Sequence, residues 1–163
     1  MKETQPITLR NFRAEDCDFL AAHYAPGMTA DDAMTLIGEW NQKSFQGMYF
    51  EMFAVVFDGA PVGWISLYAH DAHTISAGME IIESERRKGF GSAALAQALV
   101  YAAQLGYYTA VAQVRKNNAA SLRLHEACGF AVTGECVTSK GGDAFWLRKP
   151  LGGANGTMTL SNS

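Results

Sequence analysis

A turn rich in glycine and positive charge joins an apolar strand to an apolar helix near the middle of the chain. It reads Glu85-Arg86-Arg87-Lys88-Gly89-Phe90-Gly91-Ser92. Because glycine has no Cβ, the backbone here can approach a ligand closely and adopt a positive φ. The helix that follows offers unpaired N–H groups and the positive end of its dipole, which together bind phosphate. The turn therefore predicts a pyrophosphate-binding site at a strand-to-helix junction.

Length and charge narrow the classes of protein. A chain of 163 residues predicts one domain, over residues 1–150, followed by a tail, 151–163, too poor in apolar side chains to be ordered. The net charge of −3 argues against a nucleic-acid partner or an anionic membrane surface. No apolar run approaches the roughly 18 residues of a membrane span. The N-terminus has no apolar signal core, which predicts a cytoplasmic protein.

Cysteine and histidine spacing does not predict a metal site. The three cysteines, Cys17, Cys128 and Cys136, show no Cys/His ligand spacing, and their odd number favours reduced thiols over a disulfide framework. His70 and His73 flank Asp71 and superficially resemble a metal group. Their local spacing suits a solvated turn better.

Hydrophobic periodicity and turn residues predict the element order β-α-α-β-β-β-α-β-α-β-β, a mixed α/β fold of the α+β type. Thr29 is predicted to cap a second helix that runs to about Phe45 and ends at Gly47. Asp58-Gly59 predicts a hairpin, and Asn118 is predicted to cap a helix that runs to Ala127. The remaining predicted helices begin at Ala14 and Gly89, and the predicted strands are Ile7–Arg10, Tyr49–Phe57, Pro61–Tyr68, Thr74–Ile82, Thr109–Val114, Phe130–Val137 and Ala144–Leu147.

Two common nucleotide-binding motifs do not fit the glycine turn. A Walker loop ends in G-K-[ST], which is absent here. A Rossmann fingerprint has a third glycine where this chain has Ala94, and it belongs to an early βαβ unit with an acidic residue about 20 residues on. Here the turn instead follows a three-stranded meander.

The residues of the turn resemble a known family. Arg86-x-x-Gly89-x-Gly91 is similar to the R/Q-x-x-G-x-G/A signature of the GNAT superfamily of acetyl-CoA-dependent N-acetyltransferases. Downstream, Val114-x-x-x-Asn118-x-x-Ser121-x-x-Leu124-His125-Glu126-x-x-Gly129-Phe130 resembles the second signature of that family. The resemblance covers roughly residues 7–149. It implies the GNAT fold, with a mostly antiparallel central sheet splayed at the CoA site, acetyl-CoA as co-substrate, and an amine acceptor. It leaves a homodimer open.

The resemblance also implies which residues bind the cofactor. The strand before the turn would bend and splay, so that pantetheine pairs with the backbone around Ile82, at Ile81 and Glu83. The Ile81 N–H would then lie near the thioester carbonyl and stabilise the oxyanion. Asn118 would lie beside the pantetheine arm, with Ser121 one helical turn further on. The residues implied to bind the pyrophosphate are Arg86, Arg87, Lys88, Gly89, Phe90, Gly91 and Ser92.

The second signature departs from the family pattern at His125, where most members have a tyrosine thought to protonate the CoA thiolate. The Leu-His-Glu version is similar to that of phosphinothricin acetyltransferases and related enzymes that act on small amino-acid-like amines. Imidazole can donate or accept a proton near neutrality. We therefore predict a catalytic role for His125, as acid on sulfur or as base on the amine through water. The alternative is that it only packs on its helix.

The general base is less defined by the sequence. Many relatives have a glutamate earlier in the strand, where this chain has Ile75, Ser76 and Ala77. Glu80 is the acidic residue inside the strand, and it is predicted as a base, as a water-binding residue or as a support for a neighbouring strand. Loss of the amine proton to a chain of waters is the other route.

Resemblance also points to the acceptor region. Aromatic residues cluster around the second helix and the strand after it, and we predict Trp40 and Tyr49 to contact substrate. The predicted function is acetyl transfer from acetyl-CoA to a primary amine of a small molecule. Two alternatives remain: a catalytically weak CoA-binding regulatory domain, and a protein or peptide N-acetyltransferase.

Overall fold

A computed structural model describes residues 6–152 of the chain, so the predicted tail lies almost wholly outside the described residues. The helices are α1 Cys17–His23, α2 Ala30–Trp40, α3 Phe90–Gln104 and α4 Ala119–Ala127. The strands are β1 Thr8–Asn11, β2 Ser44–Phe45, β3 Met48–Phe57, β4 Ala60–Ala69, β5 Thr74–Ile81, β6 Thr109–Arg115, β7 Ala131–Val137 and β8 Asp143–Pro150. Single 3₁₀ turns at Ala14–Asp16 and Glu83–Glu85 precede α1 and follow β5.

The element order confirms the predicted mixed α/β fold, with one added strand and one shortened helix. The predicted second helix is wrong beyond Trp40. Lys43 adopts a left-handed φ of 57°, which an α-helix does not accept. Gly47, predicted to end the helix, instead closes a two-residue hairpin with Gln46, in which Phe45 pairs with Met48.

Contacts divide the chain into two compact units, the first formed by residues 6–68 and 78–94 and the second by 69–77 and 95–152. In the first unit, β3 pairs antiparallel with both β1 and β4. The β3–β4 turn at Asp58-Gly59 has φ values of 53° and 80°, as the predicted tight hairpin requires. Thr29 caps α2 through a reciprocal pair of hydrogen bonds with Asp32.

Helices α1 and α2 cover one face of β3 in this first unit. The strand alternates its side chains, and Met52 and Ala54 face the helices. The core formed there is mainly aromatic and aliphatic, and it comprises Phe12, Cys17, Leu20, Ala33, Ile37, Trp40, Met52 and Ala54. This packing fixes where β3 and its hairpin loop lie.

In the second unit, β6 pairs antiparallel with β8, and β8 pairs antiparallel with β7. β5 joins β6 in a parallel ladder of two residue pairs, Thr74 with Thr109 and Ile75 with Ala110. One residue further along both strands, the Ser76 hydroxyl donates to the Val111 carbonyl at 2.9 Å. The C-terminal part of α3 buries one stripe at helical spacing, formed by Leu95, Ala98, Leu99 and Ala102.

None of the helices described is both long enough and apolar enough to span a bilayer.

Candidate functional site

The end of β5 is positioned by an unusually close approach to β4 at Gly63. A Cβ built on Gly63 would lie 2.9 Å from the Ile81 Cα and in hard contact with the Glu80 carbonyl oxygen. One residue away, the Ile82 N–H donates to the Val62 carbonyl at 2.9 Å. Only glycine therefore allows residues 80–82 to lie where they do. Gly63 was not predicted as part of the site, although a lone glycine inside a strand pattern is a known sign of close backbone approach.

The glycine turn has the backbone geometry of an anion-binding loop. Arg87 and Gly89 both lie in the left-handed region, with φ of 66° and 86°. α3 begins at the next residue, and the Ala93 N–H donates to the Gly89 carbonyl at 3.1 Å. The first N–H groups of an α-helix have no intrahelical acceptor, so the start of α3 presents donors at the turn.

Phe90, between the two glycines of the motif, anchors the turn. Its side chain is only 3% exposed, and its ring packs against Phe57 with centroids 4.8 Å apart. The buried ring therefore fixes the turn against the β3–β4 hairpin end.

The three cations predicted to bind phosphate are not equivalent. Arg86 reaches back along β5, where Nη2 donates to Glu80 Oε2 and Nε donates to the Ile81 carbonyl, both at 2.7 Å. Lys88 pairs with Glu85 at 2.8 Å. Within residues 6–152, Arg87 has no carboxylate within ion-pairing distance. Arg87 is therefore the cation of the turn with the most available charge.

Glu80, the predicted base, is 51% exposed and is held by Arg86. The pairing ties the glycine turn to the end of β5, because one guanidinium contacts the side chain of Glu80 and the backbone of Ile81. A role as support for the turn follows directly from these contacts.

The second signature forms helix α4, with Asn118 at its N-cap as predicted. Asn118 Oδ1 accepts from the Ser121 N–H at 3.1 Å, and this bond fixes the first turn of the helix. Ser121 in turn lies beside His125, one turn further along.

His125 is held in one tautomer by its own helix. Its Nδ1 lies 2.8 Å from the Ser121 carbonyl oxygen. A carbonyl only accepts hydrogen bonds, so Nδ1 carries the proton and Nε2 has the lone pair in the neutral ring. The ring also packs edge-on against Phe130, with centroids 5.1 Å apart. Half-buried and fixed at one nitrogen, His125 can exchange a proton through Nε2.

The two residues predicted to contact the acceptor occupy different surroundings. Trp40 is in the aromatic core, with its ring 5.6 Å from Phe12 and 5.3 Å from Tyr24. The Tyr49 hydroxyl donates to Glu51 Oε1 at 2.6 Å. Glu51, which the sequence analysis did not select, is a buried carboxylate on β3. Alternation of faces along β3 would place it beside Tyr49, but nothing in the sequence indicates its burial.

The histidine-rich turn after β4 has a structural role. Asp71 Oδ1 accepts from the N–H groups of His73 and Thr74, each at 2.8 Å. The bond from His73 and then that from Thr74 hold the pKa of Asp71 below its usual range. His73 stacks on Tyr108, and His70 Nε2 contacts the Ser76 hydroxyl at 2.6 Å. Among residues 6–152, no group of three or more potential ligands is arranged to hold a metal ion.

Cys128 follows the last turn of α4 with its thiol half-buried, and burial raises its pKa against the opposing charge of Lys149. A protonated thiol is a poor nucleophile. No disulfide joins Cys17, Cys128 and Cys136, all of which lie within the described residues.

Comparison with known proteins agrees with the fold and the motifs. The model of the acetyltransferase (GNAT) family matches residues 13–130. Among solved structures, spermidine N-acetyltransferase from Vibrio cholerae in complex with CoA and spermine is 19% identical, with a TM-score of 0.70 over 89% of this chain and 95% of that one. The protein yncA from Salmonella typhimurium, solved with its cofactor acetyl-CoA, is 19% identical, with a TM-score of 0.69 over 89% and 94%. A search of curated protein sequences gives no significant match.

The chain belongs to the GNAT acetyltransferase family, because the family model covers most of its length. It is therefore an enzyme of the transferase class, and the solved structures confirm the GNAT fold. The predicted acetyl-CoA co-substrate agrees with this assignment.

Proposed function

We propose that this protein transfers the acetyl group of acetyl-CoA to a primary amine of a small molecule, by direct attack of the amine on the thioester. The observation that carries the proposal is the glycine turn, in which two left-handed residues lead into the N-terminus of α3, after β5 and its 3₁₀ turn. This arrangement suits the pyrophosphate of CoA. The α3 N-terminus and Arg87 would supply the charge that holds it.

The residues that precede the turn would bind the pantetheine arm of the cofactor. Pantetheine would pair with the backbone at Ile81, which lies against Gly63, and at Glu83. An N–H donor at Ile81 would stabilise the oxyanion, an effect often worth a few kcal/mol. Asn118 and Ser121 would flank the same arm.

The proposed chemistry uses one histidine. The neutral amine attacks the acetyl carbonyl carbon, the carbon–sulfur bond breaks, and the electron pair leaves on sulfur as a thiolate. His125 Nε2 takes the proton that the amine loses and delivers it to that thiolate, so the products are an amide and CoA. The hydrogen bond from Nδ1 to Ser121 leaves Nε2 as the nitrogen able to do this. Glu80 would act by holding the turn through Arg86.

The class of acceptor is supported by two features. The Leu-His-Glu form of the second signature resembles enzymes of small amino-acid-like amines. The Vibrio cholerae neighbour is a spermidine N-acetyltransferase whose structure contains spermine. A small primary amine is therefore the acceptor that we favour over a protein lysine or N-terminus. The resemblance leaves a homodimer open, and Val132, Val137 and Trp146 expose apolar surface on the closing hairpin of β7 and β8.

The test is an assay of thiol release from acetyl-CoA with a panel of amino acids, polyamines and aminoglycosides. We expect turnover with at least one small amine and none without an amine. Tight CoA binding without turnover on any amine would instead favour the regulatory-domain alternative.

Replacement of His125 tests its role in the same assay. We expect His125→Ala to lower kcat about 100-fold, in the range typical of a lost acid–base group, with little change in acetyl-CoA affinity. His23→Ala is the control, because His23 is an exposed histidine that packs on Phe19. Full kcat for His125→Ala from about pH 6 to about pH 9, on both sides of neutrality, would remove His125 from the mechanism.

A further inference from the structure

Glu51 on β3 is a buried carboxylate that the proposed reaction does not use. Only 3% of the surface of Glu51 is exposed to solvent. Oε1 accepts from the Tyr49 hydroxyl at 2.6 Å, and Oε2 accepts from Asn11 Nδ2 at 2.9 Å. The Lys43 ammonium lies 3.4 Å from Oε2. Burying an ionised carboxylate without close pairing costs free energy, so the burial of Glu51 calls for a functional explanation.

The carboxylate is ionised when it is buried. Burial alone would raise the pKa of Glu51, but the hydrogen bonds from Tyr49 and Asn11 and the charge of Lys43 bring it below its ordinary value. The first unit therefore contains a buried negative charge that the Lys43 ammonium faces.

A second buried carboxylate in the same unit shows what a permanent ion pair looks like. Asp16 is also 3% exposed, and Arg10 binds both of its oxygens, at 2.7 and 3.1 Å. The Arg13 N–H adds a third bond at 2.9 Å. A bidentate arginine gives a fixed geometry. The contact between the Lys43 ammonium and Glu51 Oε2, at 3.4 Å, is longer than a charge-assisted hydrogen bond, which is about 2.7–2.9 Å.

The Lys43 side chain lies at the surface, where its ammonium group has room to move away from Glu51. This side chain is 48% exposed, so it covers the carboxylate from the solvent side. Lys43 lies in the loop between α2 and the β2–β3 hairpin and has a left-handed φ of 57°. Gln46, in the turn of that hairpin, has a φ of 52°. Left-handed non-glycine residues hold a segment in a strained state, a feature common at ligand-binding sites.

We propose that Glu51 binds a second, non-reacting ammonium group of the acceptor, and that this group takes the place of the Lys43 ammonium. The inference rests on the proposed function and names its substrate class as amines with two or more cationic nitrogens. The attacking nitrogen must be neutral, so the nitrogen bound at Glu51 is a different one. Lys43 then acts as an internal competitor that keeps the buried charge paired until substrate arrives.

The test compares putrescine, which has two amines, with n-butylamine, which has one. We expect Lys43→Met to lower the KM for putrescine about tenfold, since a competing cation is removed. The KM for n-butylamine should stay within about twofold of the wild-type value, because this amine has no second ammonium group. We expect Glu51→Gln to raise the KM for putrescine at least about tenfold and to abolish the preference over n-butylamine. The acetyl-CoA affinity should not change in either variant.

Lys116→Met is the matched control, because Lys116 also pairs with a glutamate, Glu135, but at an exposed site. It should change neither KM. Equal effects of Glu51→Gln on both amines, or a putrescine KM that Lys43→Met leaves unchanged or raises, would overturn the proposal. If Glu51→Gln does not fold, Lys43→Met still tests the proposal. The Lys43 side chain is half-exposed, so we expect its replacement to leave the protein folded.

Calorimetry separates this proposal from the proposed function. If the wild-type protein turns over no amine, putrescine is titrated into the CoA-loaded protein. Binding that is lost in Glu51→Gln and strengthened in Lys43→Met supports the site without catalysis. Absence of binding, or binding equal in all three proteins, contradicts it.

Discussion

Gly89 lies in a left-handed conformation with open space in front of it. Its φ is 86°, which strains any side chain, and a Cβ built there meets nothing within 4 Å among the described residues. Backbone strain, and not a clash with these residues, therefore opposes a side chain at this position. In the proposed complex, the pyrophosphate would occupy the open space.

Gly141 provides a matched control, since its φ is 88° and a Cβ built there also meets no described atom within 4 Å. We expect Gly89→Ala and Gly141→Ala to cost similar stability, about 1–2 kcal/mol for a left-handed alanine. Only Gly89→Ala should weaken CoA binding, by at least about tenfold. Calorimetric titration with CoA measures the difference. Equal CoA affinity in the two variants would mean that the turn does not hold the phosphates.

Single residues also show which features of the site can be predicted from the sequence. The Asn118 cap and the Asp58-Gly59 hairpin were predicted correctly, because each depends on bonds or torsions within a few residues. The partners of Arg86 and Glu51 were not predicted. Arg86 turns back to Glu80 and Ile81, and Glu51 meets Asn11 and Lys43, so their roles depend on which strands become neighbours.

At the scale of elements, the end of β5 depends on a glycine in the neighbouring strand. Gly63 allows β4 to lie so close to Ile81 that a methyl group has no room. Backbone atoms, unlike the end of a side chain, cannot turn aside.

We expect Gly63→Ala to displace residues 80–82, destabilising the protein by about 1–3 kcal/mol as overpacking does, and to weaken CoA binding as well. Gly78→Ala is the comparison, because its Cβ would meet only the Ser66 hydroxyl, at 3.3 Å. Chemical denaturation and CoA titration of both variants check this. If Gly63→Ala binds CoA as tightly as Gly78→Ala, β5 does not contribute to the cofactor site.

Helix α2 is shorter than predicted, because hydrophobic periodicity alone does not determine where a helix ends. Apolar residues up to Phe45 fit a helical pattern, yet the helix ends at Trp40, and Phe45 pairs with Met48 in a hairpin. The sequence Gln46-Gly47 supports a tight turn as well as a helix end, and pairing with β3 decides between the two.

At the scale of the whole molecule, two buried carboxylates make stability depend on acidity. Burial opposes ionisation of Asp16 and Glu51. Hydrogen bonds from Arg10 and Arg13 to Asp16, and those from Tyr49 and Asn11 with the charge of Lys43 at Glu51, nevertheless lower both pKa values. The folded protein therefore binds these protons less readily than the unfolded chain does. Stability contributed in this way is complete above the ordinary carboxyl pKa and is lost as the pH falls through the lowered values.

We expect the free energy of unfolding to fall steeply below about pH 4, the ordinary carboxyl range, when measured by urea denaturation across acidic pH. Asp16→Asn should have a shallower fall than the wild-type protein, because one of the two linked protons is gone. An identical pH dependence in both proteins would show that Asp16 is not linked to acid unfolding.

The central claim is direct acetyl transfer from acetyl-CoA to a small amine. The most direct measurement incubates the protein with acetyl-labelled acetyl-CoA and a pool of small primary amines, and follows the label by mass spectrometry in the amines and in the protein. We predict that the label appears as an amide on an amine while the mass of the protein stays unchanged. Label retained on the protein, or no labelled amine from a protein that binds CoA, would contradict the account.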